Sequence, residues 1–449
     1  MQGTREEFSS RLGFLLAATG SAVGLGNVWG FPTNTASNGG AAFVAVYFLL
    51  AFGLAYPALM AELVIGRHTR ANIYSALQQI TPPGIGQRLA GLTGLYAILV
   101  ASAVLMFYTL VAGWVIAHLL AAAFAIAGLT GPAQWFSVGS LMRDIFCAGI
   151  FSLLTIVVVS QGVHRGIERW STRLLPALLV LSLALTAYVL FQPGAMAGLA
   201  LYLVPDFSRI LEPQLLVSAM GQAFFSLSLG VGTMLIYGSY LRQDENLPTI
   251  GALVTVVDAL VAFLAGLLIL PAMFVAQDLG ISIYSGEDLI AGPDLIFQVL
   301  PTLFSSMGLA GIVVALAFFT LLAIAALTSS ISMLEVPVAL AVEKTPVSRS
   351  GACWLIGGVI FLGTVLLTVK FEALFGLVVT MTTEYSQPLL GIALCLFAGW
   401  VLNRNQLLKE IRSGYPDAEN SLFWKIWPFY VRFVCPSLIA ATFIQSVIL

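Results

Sequence analysis

Residues 12–32, LGFLLAATGSAVGLGNVWGFP, are apolar enough to cross a bilayer, yet their centre is a poor choice for one continuous helix. The eight residues GSAVGLGN (20–27) hold three glycines and an asparagine, and each glycine costs about 1 kcal/mol against alanine in a helix. Lipid tightens the constraint, because a carbonyl or amide freed by a break finds no water to bond. Such a break survives only against protein or a wet cavity, where the freed backbone groups become ligands. The stretch therefore predicts a binding site built from backbone near mid-membrane. The competing reading is a glycine packing motif inside an ordinary span.

Composition decides the solvent. Only 9% of the 449 residues are charged and 59% are hydrophobic, with mean hydropathy +0.98. A soluble domain carries about a quarter charged residues, so a polytopic membrane protein is expected. Apolar runs of about 20 residues recur eleven times, at roughly 12–37, 41–66, 89–124, 142–160, 172–191, 214–240, 250–276, 307–341, 351–369, 373–402 and 427–449. The third and eighth runs are long, which suggests tilt or extension beyond the bilayer. The first is long, has no small-residue cleavage site and precedes further spans, so no cleavable signal peptide is expected. Of 19 lysines and arginines, all but Arg143, Arg209 and Lys370 fall on the side of the N-terminus. That bias puts the N-terminus in the cytoplasm of a multi-pass plasma membrane (the inner membrane of a Gram-negative cell) and, with eleven spans, the C-terminus outside.

Other classes find little support. A net charge of −2 without a basic cluster gives no sign of nucleic-acid binding. Cys147, Cys353, Cys395 and Cys435 lie in separate apolar runs and read as packing residues, while His68, His118 and His164 are scattered. No nucleophile–base pair or metal cluster stands out, so neither an enzyme nor an organic cofactor is expected.

The sixth run carries a second break, FSLSLGVGT (225–233). VGLGN (23–27) and LGVGT (229–233) echo each other five spans apart. Five is odd, so the two halves have opposite topology, and paired glycine breaks in inverted halves point to a secondary transporter's site. Facing breaks offer helix N-terminal amides for a carboxylate. They also offer free carbonyls for cations, so a zwitterion such as an amino acid satisfies both. Sodium, a hard cation, prefers oxygen, and Asn27, Ser226, Ser228, Thr328, Ser329 and Ser330 supply it. Hydroxyls in lipid also bond back to their own helix, which is an equally good reading of 328–330 alone.

Intramembrane acids are costly and usually functional. Glu62, near the cytoplasmic end of the second run, reads as a partner for loop amides or for Arg67. Asp258, deeper in the seventh run, suits a proton carrier, a sodium ligand or a neutral acid. Glu335 and Glu384 have no partner assignable from sequence.

On RLGFLLAATGSAVGLGNVWGFP (11–32), NGGAAF (38–43), the 107–114 segment, GQAFFSLSLGVGT (221–233) and LTSSISMLEV (327–336), the chain resembles the neurotransmitter:sodium symporters, in particular their bacterial amino-acid-transporting branch. The likeness runs almost end to end. It implies an all-α membrane protein of 11 transmembrane helices, an inverted five-plus-five repeat with unwound first and sixth spans. One transporter domain would fill 1–449, with repeats at about 10–192 and 213–403 and an extra span at about 427–449.

Carried over by position, the resemblance places one sodium ion on the Ala22 carbonyl, Asn27, Ser226 and Asp258, with the substrate carboxylate as a further ligand. A second falls on carbonyls of Gly20, Val23 and Ala325 with hydroxyls of Thr328 and Ser329. The substrate carboxylate would take the Leu25 and Gly26 amides, beside Gly24, and the Tyr108 hydroxyl. Its ammonium would face Ala22, Phe225 and Ser226 carbonyls and the Ser228 hydroxyl, while Val104, Phe225, Val231, Ser329 and Met333 line the side-chain pocket. Arg5 and Glu343, with Ser239 and Tyr240, would form a cytoplasmic gate. A carboxylate in the seventh helix implies that chloride is not required.

One departure stands out. The family's outer-gate arginine is Gly30 here, and its aspartate partner aligns with Val379. Losing both together avoids an unpaired charge in a narrow vestibule, and leaves closure to aromatic packing of Phe225 over Tyr108 or to other polar contacts. The resemblance implies sodium-coupled symport of a small to medium hydrophobic amino acid by alternating access. The alternatives are transport of a nonstandard zwitterion or small organic acid, and a transporter-like sensor that does not translocate.

Overall fold

The computed structural model describes residues 6–204, 208, 210–285, 288–290 and 292–448. It is helical apart from two strands of two residues each, Tyr284–Ser285 and Asp288–Leu289, which pair in a hairpin. Eight helices among the described residues are long and apolar enough to span a bilayer. They are Ala41–Thr69 (span 2), Ile85–Ile126 (span 3), Leu141–Ser160 (span 4), Val163–Leu190 (span 5), Leu247–Asp278 (span 7), Gly308–Lys344 (span 8), Arg349–Val369 (span 9) and Leu422–Gln445 (span 11). Arg11–Ala22 with Gly26–Ser37, bent by 51°, makes span 1, and Phe371–Val401 makes span 10 before a 98° turn into Arg404–Arg412. Pro213–Ser226 and Thr233–Ser239 are the two halves of span 6. Among the described residues, ten of the eleven expected spans thus qualify by length and hydropathy, and the sixth is too deeply broken for either half to qualify by itself.

Span 1 begins where the Ser10 hydroxyl caps the Gly13 amide at 2.9 Å. Its break is narrower than the composition of 20–27 suggests. Gly20, Ser21 and Ala22 stay helical because the Val23 amide still reaches the Thr19 carbonyl at 2.7 Å. Only Val23 and Gly24 leave the helix. The break in span 6 is longer, 227–232, and it needs three residues at positive φ: Ser228 at 53°, Gly230 at 81° and Gly232 at 79°. Glycine tolerates that region, whereas serine is strained there. At Gly230 a side chain would also strike the Gln387 backbone of span 10.

Spans 3 and 8, the two longest helices, pack along each other at the centre of the bundle, and the broken spans 1 and 6 cross beside them. Leu355, Val359, Leu362 and Leu366 of span 9 are all exposed. In water such a stripe would be an aggregation surface, and in a membrane protein it is the lipid face. Short helices at Gly292–Asp294, Leu295–Val299 and Leu300–Ser306, in the connection between spans 7 and 8, cover the face opposite residues 6–10.

On the other face, Arg67 at the end of span 2 is buried against Glu410 of Arg404–Arg412. Its Nε donates to Oε1 at 2.6 Å, and its Nη1 donates to the Glu245 carbonyl at 2.6 Å. Glu62 is therefore not the partner of Arg67. It serves loop amides instead, accepting from Gly230 at 2.8 Å and Leu235 at 3.3 Å.

Candidate functional site at the paired breaks

The two breaks meet beside spans 3, 7 and 8. Asn27, just past the first break, donates from Nδ2 to the Ser226 hydroxyl at 2.8 Å and to Asp258 Oδ1 at 2.7 Å. Its Oδ1 accepts the Gly24 amide at 3.1 Å, so one side chain both closes the break and faces span 7. Ser226 in turn donates to Asp258 Oδ2 at 2.7 Å. Asp258, 1% exposed, thus sits in a net of hydrogen bonds from the neutral side chains of Asn27, Ser226 and Tyr47. Burial of a carboxylate is tolerable only with that degree of satisfaction.

A second cluster gathers on the other side of the first break. The Ser21 carbonyl, at the C-terminal end of the inner half-helix, accepts the Ser228 hydroxyl at 3.1 Å and the Ser329 hydroxyl at 3.0 Å. Thr328 Oγ1 lies 3.4 Å from the Val23 carbonyl and 3.1 Å from each of the Ile324 and Ala325 carbonyls. Gly20 faces the same threonine, and a Cβ there would meet Thr328 Cβ at an ordinary contact distance of 3.4 Å. The hydroxyls of 328–330 therefore divide: Thr328 and Ser329 face span 1, while Ser330 bonds back to Leu327 and meets Thr155 of span 4 at 2.8 Å.

The third feature is the start of the outer half-helix of span 1, at Leu25 and Gly26. The Leu25 amide donates to the Tyr108 hydroxyl at 3.1 Å. A Cβ at Gly24 would collide with the Ser329 hydroxyl and stand 2.9 Å from that of Tyr108, and a Cβ at Gly26 would stand 2.8 Å from the Phe225 ring. Glycine is required at both positions because other groups approach the backbone there. Val104, Val231 and Met333 are buried in the same core. A cavity of about 730 Å³ leads from Leu25, Tyr108 and Phe225 toward the face opposite residues 6–10.

Hydrogen bonds and close approaches thus bring Gly24, Leu25, Gly26, Asn27, Tyr108, Phe225, Ser226, Ser228, Asp258, Thr328 and Ser329 together, whereas Ala22, Val104, Val231 and Met333 share only the surrounding core. The expected cytoplasmic gate lies only partly within the described residues. Arg5 lies outside the described residues. Tyr240 gives its hydroxyl to Glu335 at 2.6 Å, Ser239 donates to the Ile236 carbonyl at 2.5 Å, and Glu343 Oε2 accepts the Asn72 amide at 2.9 Å. Glu335, unassigned from sequence, also receives Arg349 Nη2 at 2.5 Å. Sequence reasoning missed Tyr47, whose hydroxyl is 3.2 Å from Ser226 Oγ and 3.5 Å from Asp258 Oδ2. It also missed Gln222, visible only as an amide inside an apolar run.

Gln222 answers the question raised by Gly30 and Val379. Its Nε2 donates to the Gly26 carbonyl at 2.7 Å and its Oε1 accepts Asn34 Nδ2 at 2.9 Å, so a neutral relay ties the outer halves of spans 1 and 6. A Cβ at Gly30 would be 3.2 Å from Gln222 Oε1. Phe225 and Tyr108 both line the cavity, yet their rings form no aromatic pair among the described residues. Of the two alternatives for this face, a polar contact is the one present among the described residues.

Discontinuous helices meeting inside a bundle of membrane spans, with a cavity reaching them from one face, define a secondary transporter. The sequence profile of the sodium:neurotransmitter symporter family matches residues 5–135 and 134–449. The chain belongs to that family. An uncharacterized sodium-dependent transporter of Haemophilus influenzae is 32% identical over 98% of this chain and 98% of its own length. The corresponding figures for YhdH of Bacillus subtilis, also described as an uncharacterized sodium-dependent transporter, are 31%, 98% and 97%. The sodium- and chloride-dependent taurine transporter of Bos taurus is 28% identical over 68% of this chain and 55% of its own. Among solved structures, MhsT in complex with L-phenylalanine superposes with a TM-score of 0.85 at 35% identity, covering 99% of this chain and 100% of that one. The protein is accordingly a multi-pass membrane transporter, a sodium-dependent symporter of that family.

Proposed function

We propose that the chain imports a small to medium hydrophobic amino acid together with two sodium ions. The observation that carries this reading is the Asn27–Ser226–Asp258 cluster, which joins both broken spans to span 7 through oxygen-bearing side chains. With the Ala22 carbonyl these groups make a hard-cation set. Thr328 Oγ1 and the carbonyls around it make a second, all-oxygen set with Gly20, Val23, Ala325 and Ser329.

Of the two helix starts at the breaks, that of span 6 already has its amides on Glu62. The start in span 1, at Leu25 and Gly26 beside Tyr108, is left for the substrate carboxylate. The ammonium then faces the carbonyls of Ala22, Phe225 and Ser226 and the Ser228 hydroxyl. Val104, Phe225, Val231, Ser329 and Met333 enclose an apolar side chain. MhsT, solved with L-phenylalanine, supports that class. Asp258 holds a fixed negative charge in the cluster, which favours chloride-independent transport even though the taurine relative is described as chloride-dependent.

The positive charge bias places residues 6–10 in the cytoplasm, with two five-span halves at about 10–192 and 213–403 and span 11 beyond them. The absence of the Gly30 and Val379 ion pair favours a second reading, a nonstandard zwitterion or small organic acid as substrate. Uptake of an amino-acid panel into proteoliposomes, with an inward sodium gradient and then with a proton gradient alone, separates the cases. Sodium-driven uptake of an apolar amino acid supports the proposal. Equal uptake on the proton gradient without sodium refutes it.

A further inference from the structure

A second cavity, of about 780 Å³, lies outside the central site between the outer ends of spans 3, 4 and 9 and the cover segment 292–306. Its size is within the range of small-molecule pockets, roughly 300–1,000 Å³. One wall is a continuous aromatic surface. Trp114 stands between Phe297, at 5.6 Å between ring centroids, and Phe371, at 5.8 Å.

The charged groups on the lining are unevenly used. Arg143 is 5% exposed, and its guanidinium is consumed internally. Nε and Nη2 both donate to Asp144 Oδ1, at 2.9 and 2.7 Å, and Nη1 donates to the Phe136 and Ser137 carbonyls at 3.2 and 3.5 Å. That leaves Asp144 Oδ2 without a hydrogen bond among the described residues. Asp294 receives Gln298 Nε2 on Oδ1 at 2.5 Å, which likewise leaves its Oδ2 open. Two carboxylates against one satisfied guanidinium give the lining a net negative charge beside ring faces. Aromatic faces attract cations, and a carboxylate oxygen supplies the charge-assisted hydrogen bond an ammonium needs.

We propose that this cavity binds an aryl-alkylammonium, with the ring against Leu110, Leu141 and the Trp114 wall and the ammonium at Asp294 and Asp144. The site also has a mechanical connection. Pro293 lines both this cavity and the central one, and Trp29 of span 1 donates from Nε1 to the Gly292 carbonyl at 3.0 Å. A ligand here braces the segment that overhangs the route to the central site. Binding itself does not depend on the transport reading; only the effect on uptake does.

The test is calorimetric titration of the full chain in nanodiscs with 2-phenylethylammonium chloride, in potassium medium without sodium or amino acid. Asp294→Asn and Asp144→Asn are each expected to weaken saturable binding about tenfold, the worth of one hydrogen bond to a charged group. Glu384→Gln, which neutralises the carboxylate on the central cavity, leaves binding unchanged, and uncharged 2-phenylethanol binds about tenfold more weakly. Leu141→Trp, which fills the cavity without touching a charge, abolishes binding while the melting temperature of the protein holds. Absence of saturable binding in the wild type overturns the proposal. So does binding that survives both Leu141→Trp and Asp294→Asn, or that falls only with Glu384→Gln. Sodium-driven uptake of an amino acid by the same preparation is read separately, so a failed transport assay and a failed titration remain distinct results.

Discussion

Asn27 and Asp258 meet at 2.7 Å, and through that contact the first break in the chain is fastened to an unbroken helix more than two hundred residues later. Asn27 also holds the Gly24 amide, so whatever disturbs the carboxylate is transmitted to the backbone of the break. Asn27→Ala removes both contacts. Sodium titration of uptake is expected to shift to at least about tenfold higher concentrations, the equivalent of one charge-assisted hydrogen bond. An unaltered titration contradicts the first ion-site assignment.

On the proposed reading Asp258 is ionised and supplies the negative charge of that cluster, so transport is expected to be indifferent to chloride. Uptake measured in sodium gluconate should match that in sodium chloride. Collapse of uptake in gluconate shows that an external anion is needed.

Glu62 is the counterpart of Asn27 at the second break. Glu62→Ala leaves the buried Gly230 and Leu235 amides without their acceptor, at about 1–3 kcal/mol for each unsatisfied group. Thermal melting in detergent should fall by several degrees, and Glu62→Gln, which keeps an acceptor oxygen, should recover part of the loss.

How far these contacts were legible in the chain differs by kind. Local chemistry was readable: the glycines at 24, 26, 230 and 232 announced both breaks before any coordinates, because lipid forbids unsatisfied backbone. The extent of the first break was overestimated, since the Val23–Thr19 hydrogen bond keeps residues 20–22 helical. Long-range partnerships were not readable. Tyr47 to Ser226, Gln222 to Gly26, and Tyr240 and Arg349 to Glu335 join residues whose sequence surroundings give no hint of one another. The resemblance to a family supplied positions for ions and substrate, whereas the Asn34–Gln222 relay, beside Gly30, had no signal in the sequence.

That relay makes a specific expectation at the outer gate. Gly30→Arg introduces an unpaired cation next to Gln222 and should lower uptake several-fold, since a charge without a partner is costly to enclose. Adding Val379→Asp supplies the partner and should restore most of the activity. Full activity of Gly30→Arg alone, or no recovery in the double variant, contradicts the gate assignment.

At the opposite face, the Arg67–Glu410 pair gives a pH dependence. Burial pushes the Glu410 carboxyl up, but hydrogen bonds from His68 and from Arg67 together with the Arg67 charge outweigh it, and the net shift is downward. A lowered carboxyl stabilises the fold above its unfolded value of about 4.3, and the benefit is lost as pH falls through the folded value. The melting-temperature gap between wild type and Glu410→Gln should therefore be wide near pH 6 and close as the medium is acidified below about pH 4. A gap that does not vary with pH contradicts this role.

The central claim is that sodium and substrate share one ligand set at the paired breaks. The most direct measurement is equilibrium binding of an accepted amino acid to the purified protein across a sodium titration, with potassium holding ionic strength constant. Shared ligands predict that saturating sodium tightens substrate affinity by roughly 5- to 150-fold, the usual range of such coupling, and that substrate tightens sodium by the same factor. Substrate affinity that does not change with sodium would contradict the account.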